Sequence, residues 1–462
     1  MNRRELLYGA AGATVALMFP FSRRARSDED GPAPFVITVR AGGGWDPTML
    51  CDPVADDERL THWSEPHLMS AGPIVYAPYQ VEGSTPMPYV TAGGEDFWQK
   101  NAERAVVING VDHETVSHAV GGRVALSGTG RDGYPTLSGL VGGLYGKGLP
   151  LAYLVGGGYG TAQGMVPTTR MGGTRLLEHI SHPNERGVRR DAIHDEGVRE
   201  MLSRRRREAD ARLLARGDLL PRRRASLEAI AAARAEEVDA RFAAFAEALE
   251  GAERPDVDSD LVESADAVLL AMRTGMCAAA HLRSGGARFD THSGHDSLNP
   301  LDGHRPQLAN LLTGVDWLLD AAEADRTISE RGLVVLVVSE FGRTTYNDGG
   351  GKDHWPITSM VAFGVGAARD RIRFGRVVGG TTTDGAEDVR GVLARKVRVS
   401  GDELELLGPR DESGFTLLAG HVHVALRHAL GLSDAHDPER PLTQFAVPSI
   451  PQTPLPIFGP VA

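Results

Sequence analysis

The chain has 462 residues, more than one small hydrophobic core requires, so we expect a large α/β body that carries an insertion. Its formal net charge of −12 argues against general nucleic-acid binding, because the neutralisation of phosphates requires a basic surface. The chain has two cysteines, Cys51 and Cys277, which are too few for a disulfide scaffold or a cysteine-based zinc site, although an oxidising compartment would permit a bridge between them.

The first residues have the pattern of an export signal. Arg3 and Arg4 precede an apolar stretch, 6–19, which is shorter than the roughly 20 residues that span a bilayer. Paired arginines before a short apolar core are typical of twin-arginine signals. We therefore assign 1–30 to a signal and linker, and expect export by the Tat machinery to the periplasm or cell envelope. If the leader is not cleaved, it would anchor the protein to the membrane. The alternative to an export signal is an ordinary N-terminal helix.

Short apolar runs that end in glycines predict the strands of an open sheet. The first run, 35–39, is followed by three glycines and then by Asp46. The runs at 104–110 and 149–160 repeat this order. The repeated pattern favours an α/β fold with a doubly wound, mostly parallel sheet, built from 31–184 and 256–462.

The segment 185–255 predicts a helical insertion. It is rich in Ala, Arg, Glu and Leu, which are good helix formers, and Gly217 and Pro221 break it into at least two helices. The arginine run 204–207 is interpreted as a solvated helix face, with an anionic partner as the alternative. A lid or an oligomerisation arm would have this composition. An apolar stripe recurs at three- and four-residue steps, with one arginine in it: Leu227, Ile230, Arg234, Val238, Phe242 and Phe245.

Polar clusters follow three of the predicted strands. Because the carboxyl ends of parallel strands meet at one edge of a sheet, loops far apart in sequence converge there. Carboxylates and imidazoles are the usual ligands of zinc, manganese and iron, so a metal site is predicted at this edge. Hydrogen-bonded Asp–His pairs without a metal are the alternative. The clusters are Asp46, then Asp290, His292, His295 and Asp296 in "DTHSGHD", then Glu340, Asp353 and His354.

Three motifs carry a resemblance to a known family. "FDTHSGHD", "VVLVVSEFGRT" and "GGGKDHWP" together resemble the bacterial DUF1501 family, a group related to the alkaline phosphatase and sulfatase superfamily. The resemblance is close over about 287–366 and looser at the amino terminus. It implies an alkaline phosphatase-like sheet with a divalent metal (zinc, manganese, iron or calcium) at its carboxyl edge.

The resemblance also assigns metal ligands. "VSEFG" stands where phosphatases and sulfatases have an S-D-H-G-like turn, so Glu340 keeps the acid while Phe341 replaces the histidine. The implied site is a single metal bound by Asp290, His292 and His354. Asp46 and Glu340 are further candidates, and Asp353 either binds metal or orients His354.

A hydroxyl and several basic side chains are candidates for catalysis and substrate binding. In "TVSHAVGGR", Ser117 and His118 stand at a predicted helix start, where a hydroxyl beside a metal would act as nucleophile. A simple helix cap is the alternative for Ser117. Arg123 and Arg343 are candidates for binding a phosphate or sulfate, and an exposed loop arginine is the alternative for Arg343.

The expected function is therefore an exported metal-dependent hydrolase of a phosphate, sulfate or similar ester, with a small anionic ester as substrate. The first alternative is a non-catalytic periplasmic binding or assembly protein on a degenerate form of the same fold. The second is a scaffold whose basic insertion binds a partner.

Overall fold

The computed structural model describes residues 33–171, 182, 184–186, 191–232, 236–252, 255–284, 288–386, 390–432 and 445–460. The predicted export segment, 1–30, lies outside these residues. A helix with the length and apolarity needed to cross a membrane is not found within them.

Eight strands form one sheet through the middle of the molecule. Their order across the sheet is β8–β2–β7–β6–β1–β5–β3–β4, and β7 runs antiparallel to both its neighbours while the other described pairs are parallel. The predicted mostly parallel sheet is therefore confirmed. In chain order the strands are β1 (Phe35–Ala41), β2 (Ala105–Asp112), β3 (Tyr153–Val155), β4 (Thr168–Arg170), β5 (Ala279–Ser284), β6 (Leu333–Ser339), β7 (Ile357–Val365) and β8 (Arg376–Gly379).

Helices cover both faces of the sheet. The described helices are α1 (Phe97–Asn101), α2 (His118–Ser127), α3 (Leu137–Tyr145), α4 (Glu196–Leu214), α5 (Pro221–Ala232), α6 (Glu236–Gly251), α7 (Val262–Arg273), α8 (His304–Ala324), α9 (Arg326–Arg331) and α10 (Ala419–Ala429). Buried side chains of α1, α7, α8 and α9 form one core, and those of α2, α3 and α10 form the other.

Shorter elements connect these layers. The 3₁₀ turns are Pro47–Met49, Glu65–His67, Ala102–Arg104 and Gly366–Asp370. Antiparallel pairs join Met69–Ala71 to Ile74–Tyr76, Gln80–Glu82 to Thr85–Met87, Glu185–Arg186 to Asp191–Ala192, Gly342–Tyr346 to Lys352–Trp355, Thr381–Thr382 to Leu393–Ala394, and Val397–Ser400 to Glu403–Leu406.

The strand pattern explains why the sheet is buried on both sides. Successive side chains of a strand point to opposite faces, so Ile37 of β1 lies in one core and Val36 in the other. A strand covered on both faces reads as a continuous apolar run, which is the pattern of β6 up to Ser339 and of β1 except for Thr38 and Arg40. Cys51 and Cys277 are both buried and free, so they do not form a disulfide.

The segment predicted as a helical insertion contains α4, α5 and α6. Phe245 of α6 is fully buried in the same core as α7 and α8, and Phe242 packs against that core. Arg204, Arg205 and Arg206 of α4 are exposed to solvent. Arg234 of the predicted apolar stripe lies outside the described residues, and nothing is described for the side chain of Val238. The last helix of the segment is therefore anchored in the body.

Candidate metal centre

The centre lies at one edge of the central sheet. Strands β2, β5 and β6 end at this edge, and the loops after them carry His118, Asp290 and Glu340. Strand β7 runs the other way, so the residues before its start reach the same edge, and these include His354. The loop before antiparallel β7 thus lies at the same sheet edge as the three loops that follow β2, β5 and β6.

Two glycines allow the loops to approach each other closely. A Cβ on Gly121 of α2 would lie 2.6 Å from the backbone oxygen of Glu340, and a Cβ on Gly351 would lie 2.1 Å from the backbone of His292. The first approach places His118, one helical turn before Gly121, against the turn after β6. The second places the hairpin that carries His354 against the loop after β5.

Asp290 is the centre of the cluster. Its Oδ1 lies 2.9 Å from Nε2 of His354 and 3.0 Å from Nε2 of His292, and its Oδ2 lies 3.3 Å from Nε2 of His118. The two nitrogens of His292 and His354 are 3.1 Å apart. The ligand atoms of His118, Asp290 and His354 all lie within 4.8 Å of one another, so this group could hold a metal ion. The predicted set of Asp290, His292 and His354 is thus brought together, and His118 joins it.

The other nitrogen of each ring is held by an oxygen. Nδ1 of His118 lies 2.9 Å from the carboxylate of Glu340, and Nδ1 of His292 lies 2.9 Å from that of Asp353. Nδ1 of His354 lies 3.0 Å from the carbonyl oxygen of Val116. Since these oxygens can only accept, each neutral ring carries its hydrogen on Nδ1 and a lone pair on Nε2. In their neutral forms the three rings would therefore present three lone pairs to one carboxylate.

This arrangement fits a metal ion. Nitrogen and oxygen ligands bind zinc at about 2.0–2.2 Å, which separates tetrahedral ligand atoms by about 3.3 Å. The observed contacts of 2.9–3.3 Å around Asp290 are close to that separation. A cation between these atoms would replace contacts between electron-rich groups by bonds. Metal-ligating histidines commonly have their second nitrogen held by a carboxylate or carbonyl, as all three are here.

Burial and the neighbouring side chains set the ionisation of the centre. Partial burial raises the pKa of Asp290, but the neighbouring His354 and Arg343 outweigh it and lower that pKa to about 2. Burial lowers the pKa of His354 below its ordinary value, despite the opposing effect of Asp290. At neutral pH the carboxyl is therefore ionised and the His354 ring is neutral.

Glu340, predicted as a metal ligand, lies behind His118. Its side chain is buried and accepts hydrogen bonds from Nε of Arg40 and the backbone nitrogen of Gly43, both at 2.9 Å, besides its contact with His118. Burial raises the pKa of Glu340, but Arg40 and the other donors outweigh burial and leave it below the ordinary value. The carboxylate therefore orients His118.

Asp353 has a corresponding position behind His292. One oxygen contacts Nδ1 of His292, and the other accepts a 2.9 Å hydrogen bond from Nη2 of Arg390. The hydrogen bond from His292 is the largest cause that holds the pKa of Asp353 below its ordinary value. Of the two predicted roles, the structure supports the orienting one, although the ring oriented is His292 rather than His354.

Asp46 is a correction to the predicted ligand set. Its Oδ2 accepts from Nζ of Lys352 at 2.6 Å and contacts Nε2 of His295 at 3.2 Å. Its Oδ1 accepts from the backbone nitrogen and the hydroxyl of Thr48, at 3.0 and 2.6 Å. Four donors occupy the roughly four lone-pair sites of a carboxylate. Burial raises the pKa of Asp46, but Lys352 and His295 outweigh it and hold the pKa well below its usual range. Asp46 has no site left for a metal.

Arg343 is a second correction, because its side chain is fully buried. Its guanidinium donates to the carbonyl oxygens of Gly44 and Lys352 at 2.7 and 3.0 Å, and to Oδ1 of Asp290 at 2.9 Å. It also donates to the carbonyl oxygens of Gly43 and Phe289. Arg343 therefore positions Asp290 and does not face a substrate, and the exposed-loop alternative is excluded as well.

The remaining candidates lie on or beside α2. Ser117 is the exposed N-cap residue, but its side chain makes no capping hydrogen bond, so the simple cap does not account for it. Arg123 donates to the carbonyl oxygen of Gly130 at 3.2 Å, and its Nε lies 3.7 Å from Asp132. Arg123 thus contacts the loop after α2 rather than the metal centre.

Phe341, at the position where the resemblance would place a histidine, forms the apolar floor of the centre. It is fully buried, with its ring centre 4.9 Å from that of His118 and 4.4 Å from that of His354. Phe341 therefore supports the rings of His118 and His354 and does not itself offer a ligand atom.

The sequence analysis missed several residues that hold the centre in place. Arg40 gives a usable signal, because a charged residue within a strand buried on both faces requires a partner. The partner of Lys352 is 306 residues away in sequence, and that of Arg390 is 37 residues away. No local pattern identifies such pairs.

The chain was compared with known proteins. No model of a known protein family matches it, and no curated protein matches it. The resemblance to the DUF1501 family therefore stays a prediction.

Proposed function

We propose that this protein is an exported metal-dependent hydrolase of a phosphate, sulfate or similar ester, on an alkaline phosphatase-like sheet of the DUF1501 type. One observation carries the proposal. The Nε2 atoms of His118, His292 and His354 converge on the ionised carboxylate of Asp290, and each Nδ1 lies at hydrogen-bonding distance from an oxygen acceptor.

The donor atoms favour one group of metals. His118, His292, His354 and Asp290 would bind the ion through three nitrogens and one carboxylate. Such a set suits zinc, manganese or iron, whereas calcium prefers oxygen ligands throughout. When bound, the ion would polarise an ester oxygen and lower the pKa of a coordinated water.

The charges of the centre favour an anionic substrate. Every carboxylate described above is already paired with one cationic side chain, so the protein does not neutralise the charge of a divalent ion. An anionic ester group would supply that charge, and a site of one sign attracts ligands of the other. The pairs are Asp46 with Lys352, Asp290 with Arg343, Glu340 with Arg40, and Asp353 with Arg390.

Ser117 is the proposed attacking group. It lies between Val116, whose carbonyl oxygen contacts His354, and His118, which contacts Asp290. The chain is therefore attached to the centre on both sides of the hydroxyl. Ser117 also stands at the start of α2, where the unpaired backbone N–H groups and the helix dipole favour negative charge.

Metal analysis of the folded protein tests the proposal. We expect bound zinc, manganese or iron, and hydrolysis of members of a panel of aryl phosphate and sulfate esters. Asp290→Ala and His354→Ala should each lose both metal and activity, because each removes a ligand. His194→Ala and Asp402→Ala, at exposed positions outside the centre, are the matched controls.

Two results would contradict the proposal. Substoichiometric metal after zinc or manganese is added would favour the non-catalytic binding or assembly protein. Hydrolysis that survives both Asp290→Ala and His354→Ala would mean that the reaction occurs elsewhere on the protein.

Export is proposed from Arg3, Arg4 and the apolar stretch 6–19. Replacement of both arginines by lysine should retain the protein in the cytoplasm, since twin-arginine signals are read by a receptor. Unchanged export of that variant would contradict the assignment.

A further inference from the structure

A second group of polar side chains lies directly beneath the metal centre. Thr291 stands between Asp290 and His292 in sequence, but its side chain is buried and contacts two histidines. We call this group the inner cluster. All its members are at least 96% buried, and they are Asp46, Thr291, His295, His304 and Lys352.

The hydrogen bonds of the inner cluster form a closed cycle. The backbone nitrogen of Asp46 donates to Nε2 of His304 at 2.8 Å, so this neutral ring carries its hydrogen on Nδ1. That hydrogen is donated to the hydroxyl of Thr291 at 3.1 Å. The hydroxyl then donates to Nδ1 of His295 at 2.5 Å, and Nε2 of His295 donates to Oδ2 of Asp46 at 3.2 Å. The cycle of hydrogen bonds begins and ends at Asp46.

The backbone N–H of Asp46 fixes the direction in which the hydrogen bonds of this cycle are donated. If every hydrogen bond of the cycle ran the other way, Nε2 of His304 would carry a hydrogen. That hydrogen would then face the hydrogen of the Asp46 backbone N–H, which is unfavourable. The nitrogen of His295 that points to Asp46 therefore carries a hydrogen and has no lone pair for a metal. This is the opposite of the outer centre, where Nδ1 of His118, His292 and His354 each faces an oxygen acceptor and a neutral ring would have its lone pair on Nε2.

The ammonium group of Lys352 lies beside the carboxylate of Asp46, where a metal ion would otherwise bind. Nζ of Lys352 lies 2.6 Å from Oδ2 of Asp46 and 2.6 Å from the carbonyl oxygen of Leu60. It also lies 4.5 Å from the centre of the Tyr346 ring, within the range of a cation–π contact. The side chain of Lys352 is fully buried, and these contacts hold Nζ in this position.

We propose that the protein binds a single divalent ion, at the outer centre, and that the ammonium group of Lys352 permanently occupies the neighbouring position beside Asp46. The inference rests on the proposed function, because it assigns the number of ions in the same centre. In the outer centre, the Nε2 atoms of neutral histidines can bind a metal ion. In the inner cluster, hydrogen-bond donors and the ammonium group of Lys352 already occupy the oxygens of Asp46.

Metal counting on the full chain tests the inference. The folded protein is saturated with zinc, separated from excess metal and analysed for metal and protein. We expect one equivalent. Loaded with manganese, it should give the electron paramagnetic resonance spectrum of an isolated ion, because two ions in a shared site lie about 4 Å apart and couple their spins.

The double variant Asp46→Asn/Lys352→Met is the matched comparison. It removes both charges of the buried pair together and keeps the approximate side-chain volumes, so we expect one equivalent again. If this variant does not fold, the wild-type zinc count and manganese spectrum decide the inference.

Each contrary result has a separate meaning. Two equivalents, or a spin-coupled manganese spectrum, would overturn the single-ion inference and leave the proposed function standing. A folded double variant without metal would show that Asp46 is needed at the ion and would also overturn it. A wild-type protein that binds no metal would overturn the proposed function together with the inference.

Discussion

Nε2 of His354 lies 2.9 Å from Oδ1 of Asp290, although Nδ1 of the same ring already contacts the carbonyl oxygen of Val116. A neutral ring has one hydrogen, and the carbonyl oxygen accepts it. Two electron-rich atoms are therefore held side by side by the chain around them. A metal ion between them would turn this contact into a source of stability.

Zinc should accordingly raise the free energy of unfolding. A ligand that binds only the folded state stabilises it by about 2.7 kcal/mol when its concentration is 100 times its Kd. We expect this increase in urea unfolding of the wild-type protein and its loss in His354→Ala. An equal increase in His354→Ala would mean that zinc binds elsewhere.

Glu340→Gln should weaken metal binding without changing the number of ions. The substitution leaves buried Arg40 without its counter-charge and loosens the contact that orients His118. Breaking a buried ion pair costs about 3–5 kcal/mol, and loss of an orienting partner costs about 10–100-fold in metal affinity. Urea unfolding and zinc titration measure the two effects.

The exposed pair of Arg398 and Glu405 supplies the control for this experiment. Glu405→Gln should change stability by no more than about 1 kcal/mol, because exposed ion pairs contribute little. A Glu340→Gln protein that loses its metal completely would instead indicate that Glu340 is itself a ligand.

Phe341→Ala should both destabilise the protein and loosen the centre. Removal of a buried phenylalanine side chain costs about 3–5 kcal/mol, and here the cavity would open beneath His118 and His354. Phe341→Leu keeps most of the volume and should cost less than about 1.5 kcal/mol. Zinc affinity should fall more in the alanine variant than in the leucine variant. Equal affinity in all three proteins would show that the packing does not position the ligands.

The sheet could be predicted because its strands are buried on both faces. The run that forms β6 is apolar up to Ser339, the run that forms β1 is apolar except for Thr38 and Arg40, and the glycines after β1 mark its end. The antiparallel direction of β7 could not be predicted, since its sequence is as apolar as that of a parallel strand. The three-residue strands near 69–87 have no pattern long enough to identify.

The candidate site was predictable to the extent that it follows from strand ends. Asp290, His292 and His354 meet because their loops leave the same sheet edge. Asp46 follows a strand at that edge too, but its carboxylate is saturated by Lys352 and other donors. Long-range pairing decided between the two acids, and one sequence does not contain that information. His118 was assigned to catalysis rather than to the metal for the same reason.

Acid should destabilise the metal-free protein, beginning near pH 6.5. Several buried histidines have folded-state pKa values lowered by burial, so the unfolded chain binds more protons between that pH and the folded values. Stability then falls with falling pH, by about 1.4 kcal/mol per pH unit for each extra proton. The lowered pKa values are about 4 for His113 and His295 and about 3 for His281 and His423.

His423→Gln tests this pH dependence. Nε2 of His423 lies 3.0 Å from the carbonyl oxygen of Ala125, and a glutamine amide can donate to the same oxygen. The variant should lose less stability than the wild type between pH 6.5 and pH 4. His194→Gln, at an exposed position, should leave the slope unchanged. Identical slopes in all three proteins would exclude His423 as a source of acid sensitivity.

Phe245→Ala should destabilise the whole body although Phe245 belongs to the inserted segment. Its side chain is fully buried in the core shared with α7 and α8, so its truncation should cost about 3–5 kcal/mol. Leu220→Ala, 73% exposed between α4 and α5, should change stability by less than about 0.5 kcal/mol. Urea unfolding followed by tryptophan fluorescence measures both. A Phe245→Ala protein as stable as the wild type would mean that α6 is separable from the body, and only then could the whole segment act as a lid.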